Sequence, residues 1–125
     1  MNLLQLLAIT IYLEAGNQPY EGKVAVAQVI MERVSDGRWP DTIRTVIMKP
    51  KHFSCWNGRS PNDVSFVFNK AGRECLKIAE DCLDGKILGE GYNHYCRYDC
   101  NPSWLEGVDR KRFGKRIGDH EFFKL

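Results

Sequence analysis

Apolar residues crowd the first fourteen positions of the chain. Leu3, Leu4, Leu6, Leu7, Ile9, Ile11 and Leu13 leave almost no polar side, which predicts a helix buried all round. One carboxylate, Glu14, closes it. Leu7, Ile11 and Glu14 fall at i, i+4 and i+7, so the acid shares a stripe with two core residues. Gly16-Asn17-Gln18-Pro19 breaks the pattern. A second helix is predicted from Tyr20 to Val34, with Val26, Val29, Ile30 and Val34 as its apolar stripe and Ala25 and Ala27 for close packing. Pro19 suits its first turn and Glu21 its positive end. Ser35-Asp36-Gly37 stops it. Asp41 or Thr42 caps a short helix that runs through Met48 and ends at Lys49-Pro50.

Beyond a polar linker from Arg59 to Asp63, a long helix is predicted from Ser65 to Leu83, with Ala71, Cys75, Ile78, Ala79 and Cys82 facing inward. From Ile87 to Tyr98 the helical period fades. Gly89, Gly91, Tyr92, Tyr95 and Tyr98 predict a short hairpin there. With no repeat, low-complexity segment or composition break, residues 1–125 read as one mainly helical domain with a small β element.

Composition and charge add further limits. At 43% apolar and 27% charged residues the chain is ordinary for a globular protein, and a net charge of +2 gives no argument for nucleic acid. The basic run Arg110, Lys111, Arg112, Lys115 and Arg116 reads as solvated surface; the alternative is a contact with an anionic wall polymer or membrane surface. The apolar start has no basic residues ahead of it, no small-residue cleavage site, and falls short of the ~20 residues a membrane span needs. It reads as a core helix rather than an export signal. Five cysteines, an odd number, then argue for reduced thiols. Cys75 and Cys82 lie two helical turns apart, about 10 Å, too far to bridge, and are expected as buried free thiols.

Candidate chemistry concentrates in a few places. A carboxyl among apolar neighbours resists ionisation, which would make Glu14 a general acid; the alternative is a helix-end glutamate exposed where the helix stops. Gln28 lies among apolar residues, either on the flank of the stripe or facing a site. Phe53, Ser54, Trp56 and Asn57 mix flat apolar surfaces with hydrogen-bonding groups, which suits a sugar; equally, one aromatic is core and the rest a turn. His94, Cys96 and Cys100 offer a rival reading as a zinc cluster, though at no common ligand spacing.

These stretches resemble the SleB-type cell wall hydrolases, a family related to spore-cortex-lytic enzymes with many phage-borne members. The resemblance runs through Ile11-Tyr12-Leu13-Glu14-Ala15 and Glu21 to Val29, then Phe53-Ser54-Cys55-Trp56-Asn57, then Gly91-Tyr92-Asn93-His94-Tyr95 with Pro102-Ser103-Trp104, and closes on Ile117-Gly118-Asp119-His120-Glu121-Phe122-Phe123. The blocks occur in order over nearly the whole chain. Two positions depart from the family's pattern: Asn93 stands where Thr is usual, and Cys96 where a second His is common.

The resemblance implies a lysozyme-like or lytic-transglycosylase-like fold and cleavage of peptidoglycan between N-acetylmuramic acid and N-acetylglucosamine. It places the catalytic acid on Glu14 and implies no metal and no cofactor. Tyr12, Gln28, Ser54, Asn57, Asn93 and Tyr95 are then candidates to hydrogen-bond sugar groups. Phe53, Trp56 and Trp104 are candidates to stack on rings, and His94 and His120 to orient neighbours. Glu21, Glu32, Asp36 and Asp119 are the carboxylates a hydrolytic muramidase would draw on. Since each has a simpler role as helix-start, surface or turn residue, the expected ending is that of a lytic transglycosylase. A non-catalytic wall-binding or virion structural protein is the rival of a different class. Size and thiols fit a monomeric endolysin, waiting in a host cytoplasm until a holin-type pore admits it to the wall, with no stable membrane insertion; a virion-borne lysin and a bacterial remodelling enzyme are the alternatives.

Overall fold

The first helix holds the centre of the fold. In the computed structural model, which describes residues 1–50, 52–66 and 68–125, it is α1 (Leu3–Ala15). Asn2 starts it with a reciprocal cap: its side chain accepts from the Gln5 backbone N–H at 2.8 Å, and the Gln5 side chain accepts from the Asn2 N–H. Leu6, Leu7, Ala8 and Ile11 are wholly buried, as their unbroken apolar pattern requires. Helix α2 (Tyr20–Ser35) follows the break, and α3 (Ile43–Met48) is capped by Thr42, whose hydroxyl accepts from the Thr45 N–H at 3.1 Å. Helix α4 (Lys70–Leu83) packs most extensively on α1, and α2 and α3 cover its remaining sides. None of the described helices is long and apolar enough to cross a membrane.

Three predictions are corrected here. The long helix starts at Lys70 rather than Ser65, because Asn69 caps it by accepting from the Gly72 N–H at 2.7 Å. Val67, within the expected span, lies outside the described residues. The second correction concerns the β element. Residues 87–98 do not fold back on themselves. They contribute only β1 (His94–Arg97), which pairs with the far end of the chain. The hairpin is β2 (Gly114–Ile117) with β3 (His120–Phe123), and the antiparallel order is β1-β3-β2. The basic run is thus divided between a single-turn helix, α5 (Arg110–Phe113), and β2. Arg110 is not merely solvated. It pairs with Glu121 and donates to the carbonyl oxygens of Cys100 and Tyr98 at 2.7 and 3.0 Å.

The apolar residues form two clusters that meet at the end of α1. The larger fills the space between α1, α2, α3 and α4 and takes in Phe53 and Trp56. The smaller joins Ala15, Ala25, Val26 and Val29 to Phe122 of the sheet. Polar ties hold the two parts together. The Gln18 side chain, in the break between α1 and α2, accepts from the Asp119 N–H at 2.8 Å and donates to the Asp119 carboxylate at 3.1 Å. Gly118 makes this possible: its φ is +60°, and a Cβ there would lie 2.4 Å from the Gln18 Oε1. Lys23 is buried, and it donates to the Gln18 carbonyl at 2.6 Å while pairing with Glu74 of α4 at 3.2 Å. Cys75 and Cys82 are buried free thiols, as their spacing predicts.

Candidate active site

Glu14 stands at the C-terminal end of α1, where the helical core meets the sheet. It lines a groove of about 780 Å³. The stripe of Leu7 and Ile11 carries it there: both are wholly buried, and the next position on that face emerges half-buried at the groove wall. The Tyr95 hydroxyl donates to its Oε1. Burial, and then the charge of Glu14, push the Tyr95 phenol well above its ordinary range, so it keeps its proton. The Cys55 thiol lies beside the same carboxylate. Burial first, and Glu14 second, push it up to about 12, so it too stays protonated. The carboxyl group therefore sits beside two protonated groups, of which the Tyr95 hydroxyl donates to it.

The opposite wall comes from the sheet and the turn after it. Trp104 and His94 lie with ring centroids 4.8 Å apart, and Trp39 meets the other side of His94 at 5.5 Å. Burial, followed by the positive charges of Arg33, Arg38 and His52, lowers the His94 pKa to about 4. The neutral ring bonds through Nδ1 to the Asn93 side-chain oxygen at 2.9 Å. His120 packs against Tyr95 at 5.2 Å; burial lowers its pKa, and its Nδ1 has no hydrogen-bond partner among the described residues. Ser54 is exposed at the groove edge.

The groove thus gathers Glu14, Ser54, His94, Tyr95, Trp104 and His120, six of the positions picked out from sequence. The others lie elsewhere. Tyr12 accepts from the Asn69 side chain at 3.1 Å and ties α1 to the start of α4. Gln28 lines a different cleft, on the face of α2 that meets Tyr92 and Lys124. Phe53 is core, 1% exposed. Trp56 is core as well, and its indole N–H donates to Thr10 at 3.0 Å inside the helical cluster. Neither ring is available to stack on a sugar. Asn57 is exposed outside the groove. Asn93 is buried at 4% exposure and clamps Leu125, donating to its carbonyl at 3.0 Å and accepting from its N–H at 2.9 Å. Its amide serves the fold where a substrate contact was expected.

Sequence reasoning missed Arg33, His52 and Arg97, which also line the groove, and singled out Cys96, another lining residue, only as a zinc candidate and as a departure from the family's pattern. Arg33 had a legible signal: Val26, Ile30 and Arg33 repeat the i, i+4, i+7 spacing that singled out Glu14. Among the described residues no three His, Cys, Asp or Glu side chains gather so as to hold a metal ion, and all five cysteines are free. The zinc reading of His94, Cys96 and Cys100 therefore has no site.

The carboxylates considered as partners of Glu14 are otherwise engaged. Glu32 accepts from the Gly91 N–H at 2.7 Å, Asp36 pairs with Arg38 at 2.8 Å, and Asp119 is held by Gln18. Glu21 lies on the cleft of Gln28. Among the described residues that line the groove, Glu14 is the one carboxylate.

Comparison with known proteins agrees with this architecture. The catalytic domain of the germination-specific lytic transglycosylase SleB from Bacillus anthracis superposes with a TM-score of 0.72 at 28% identity, over 97% of this chain and 93% of that one. The catalytic domain of the Bacillus cereus SleB protein gives 0.73 at 28% identity, over 97% and 88%. In sequence, the spore cortex-lytic enzyme of Bacillus subtilis is 32% identical over 118 residues, 93% of this chain and 37% of that protein. That of Oceanobacillus iheyensis is 47% identical over 53 residues, 42% of this chain and 19% of that protein. The chain thus spans well under half the length of these curated relatives. The profile described as Cell Wall Hydrolase matches residues 17–123, from the break after Glu14 to the last strand, and with that match the chain belongs to the Cell Wall Hydrolase family.

Proposed function

We propose that the chain cleaves the glycan strands of peptidoglycan as a lytic transglycosylase, with Glu14 as its single acid and base. A glycosidic oxygen leaves poorly unless it is protonated as its bond breaks, through a transition state resembling an oxocarbenium ion. Glu14 donates that proton to the oxygen between muramic acid C1 and the next N-acetylglucosamine. The C1–O bond breaks, and the muramyl C6 hydroxyl attacks C1. Its proton passes to the Glu14 carboxylate, which returns to its starting state, and the product carries a 1,6-anhydro ring. No water is consumed. Tyr95 and Cys55 keep the carboxyl group fixed through both proton transfers, while Trp104 and His94 offer flat faces to the sugar rings.

The observation that carries the reading is Glu14 as the one carboxylate among the described groove-lining residues. A hydrolytic muramidase needs a second one within about 5–9 Å, and Glu21, Glu32, Asp36 and Asp119 all lie off the groove. Mass spectrometry of purified peptidoglycan after digestion tests it. Anhydromuramyl ends are expected, and reducing muramic acid ends would replace the reading with a muramidase. A protein that releases no fragments, yet sediments with the wall, would be a binding protein built on the hydrolase fold.

The endolysin role, a monomer held in a host cytoplasm until a holin-type pore opens, rests on the resemblance to phage-borne members. Lysis timed with and without a co-expressed holin tests that part separately.

A further inference from the structure

We propose that Arg33 is the groove's receptor for the carboxyl group of the lactyl arm on a muramyl unit, and that it thereby sets where the strand lies across Glu14. The assignment rests on the glycan-cleaving reading above and deepens it.

Arg33 occupies the last turn of α2 and is 7% exposed, yet it lines the groove. Its Nε donates to the Asn93 carbonyl at 2.8 Å, and its guanidinium lies between the rings of Trp39 and Phe53, 5.1 and 5.5 Å from their centroids. Those contacts fix the plane of the group without satisfying it. Nη1 is buried and has no acceptor. No carboxylate pairs with Arg33 among the described residues, whereas the groove's other guanidinium, Arg97, pairs with Asp99 at 2.9 Å. A buried cation without an anion is costly, and two aromatic faces offset only part of that cost. The arrangement is complete once an oxygen bearing negative charge enters from the groove.

The chemistry of the strand narrows the occupant. N-acetylglucosamine offers hydroxyls and a neutral acetamide. Muramic acid adds one acid, the lactyl group on O3, free as a carboxylate or present as an acyl oxygen when a peptide is attached. A planar guanidinium is the side chain best matched to paired carboxyl oxygens.

Binding to E14Q, followed by quenching of tryptophan fluorescence through Trp104 in the groove, tests the assignment without turnover. The probes are a muramyl tetrasaccharide with free lactyl carboxylates, its lactyl methyl ester, and chitotetraose, which lacks the arm. The muramyl strand should bind about tenfold tighter than chitotetraose. Adding Arg33→Gln should remove that preference and leave chitotetraose binding unchanged, and Arg33→Lys should restore part of it. Should Arg33→Gln fail to fold, the ligand comparison in E14Q and the Lys variant still decide. Weaker binding of the ester than of the acid identifies the carboxylate as the ligand, and equal binding identifies the acyl oxygen. Equal affinity of E14Q for the muramyl strand and chitotetraose overturns the Arg33 assignment alone. Binding of neither removes the glycan reading together with it.

Discussion

The Tyr95 hydroxyl donates a hydrogen bond to the Glu14 carboxylate, joining the end of α1 to the first strand of the sheet across 81 positions of sequence. The contact unites the two halves of the fold at the reacting group. Replacing Tyr95 with Phe should lower kcat about tenfold with little change in KM, because it removes a donor to a charged group and leaves the groove's shape intact. Initial rates on solubilised glycan strands measure the split. A rise in KM at constant kcat would assign Tyr95 to substrate binding instead.

Glu14→Gln keeps the side chain's size and removes its proton chemistry. General acid catalysis is worth roughly 100-fold or more, so lysis of permeabilised cells should fall at least that far while the melting temperature holds. A turbidity assay beside a thermal melt reads both. Persistent lysis by the variant would move the catalytic role elsewhere.

Trp56 and Trp104 should separate cleanly. Trp104→Ala removes a groove wall and should raise KM several-fold with a near-normal melt. Thr10→Val leaves the buried Trp56 N–H without its acceptor, since Thr10 takes that bond while donating to the Leu6 carbonyl at 2.7 Å. It should destabilise by about 1–3 kcal/mol in denaturant titrations and leave KM unchanged.

Acid should weaken the fold through His94. Its pKa falls from an ordinary 6.5 to about 4 on folding, so between those values the unfolded chain binds more protons than the folded one. The stability this ring contributes is intact above pH 6.5, declines as the pH falls toward 4, and is gone below that. His120 and His52 are lowered too and act in the same direction. Melting temperatures across this range should drop with acidity, and His94→Asn should flatten the slope.

Local pattern revealed what local physics controls. The limits of α2 follow from its breakers, the start of α3 from Thr42, and the position of Glu14 from the spacing of Leu7 and Ile11. The place of β1 was not legible because its register joins His94 to Phe123, a pairing that no local pattern announces. The β2–β3 hairpin did carry a local signal, the two-residue Gly118-Asp119 loop between Ile117 and His120, and it was missed. Gly89 and Gly91 read as hairpin residues. Gly89 instead lets the chain pass close to α2, where a Cβ would fall 2.7 Å from the Glu32 Cα. Phe53 and Trp56 were ambiguous from sequence because an aromatic ring suits a core and a sugar face equally well. Only the packing partner decides, and for Trp56 it is Thr10.

The mounting of the acid on a helix sealed by its neighbours bears on how the molecule comes apart. Amides in the middle of α1 can exchange with deuterium only when the whole helical centre opens, whereas the four-residue strands, with β2 largely exposed, need a much smaller fluctuation. On gentle warming, the Tyr95 side of the cleft would loosen while Glu14 still held its place, so catalysis would fade at temperatures where circular dichroism still reports a full complement of helix.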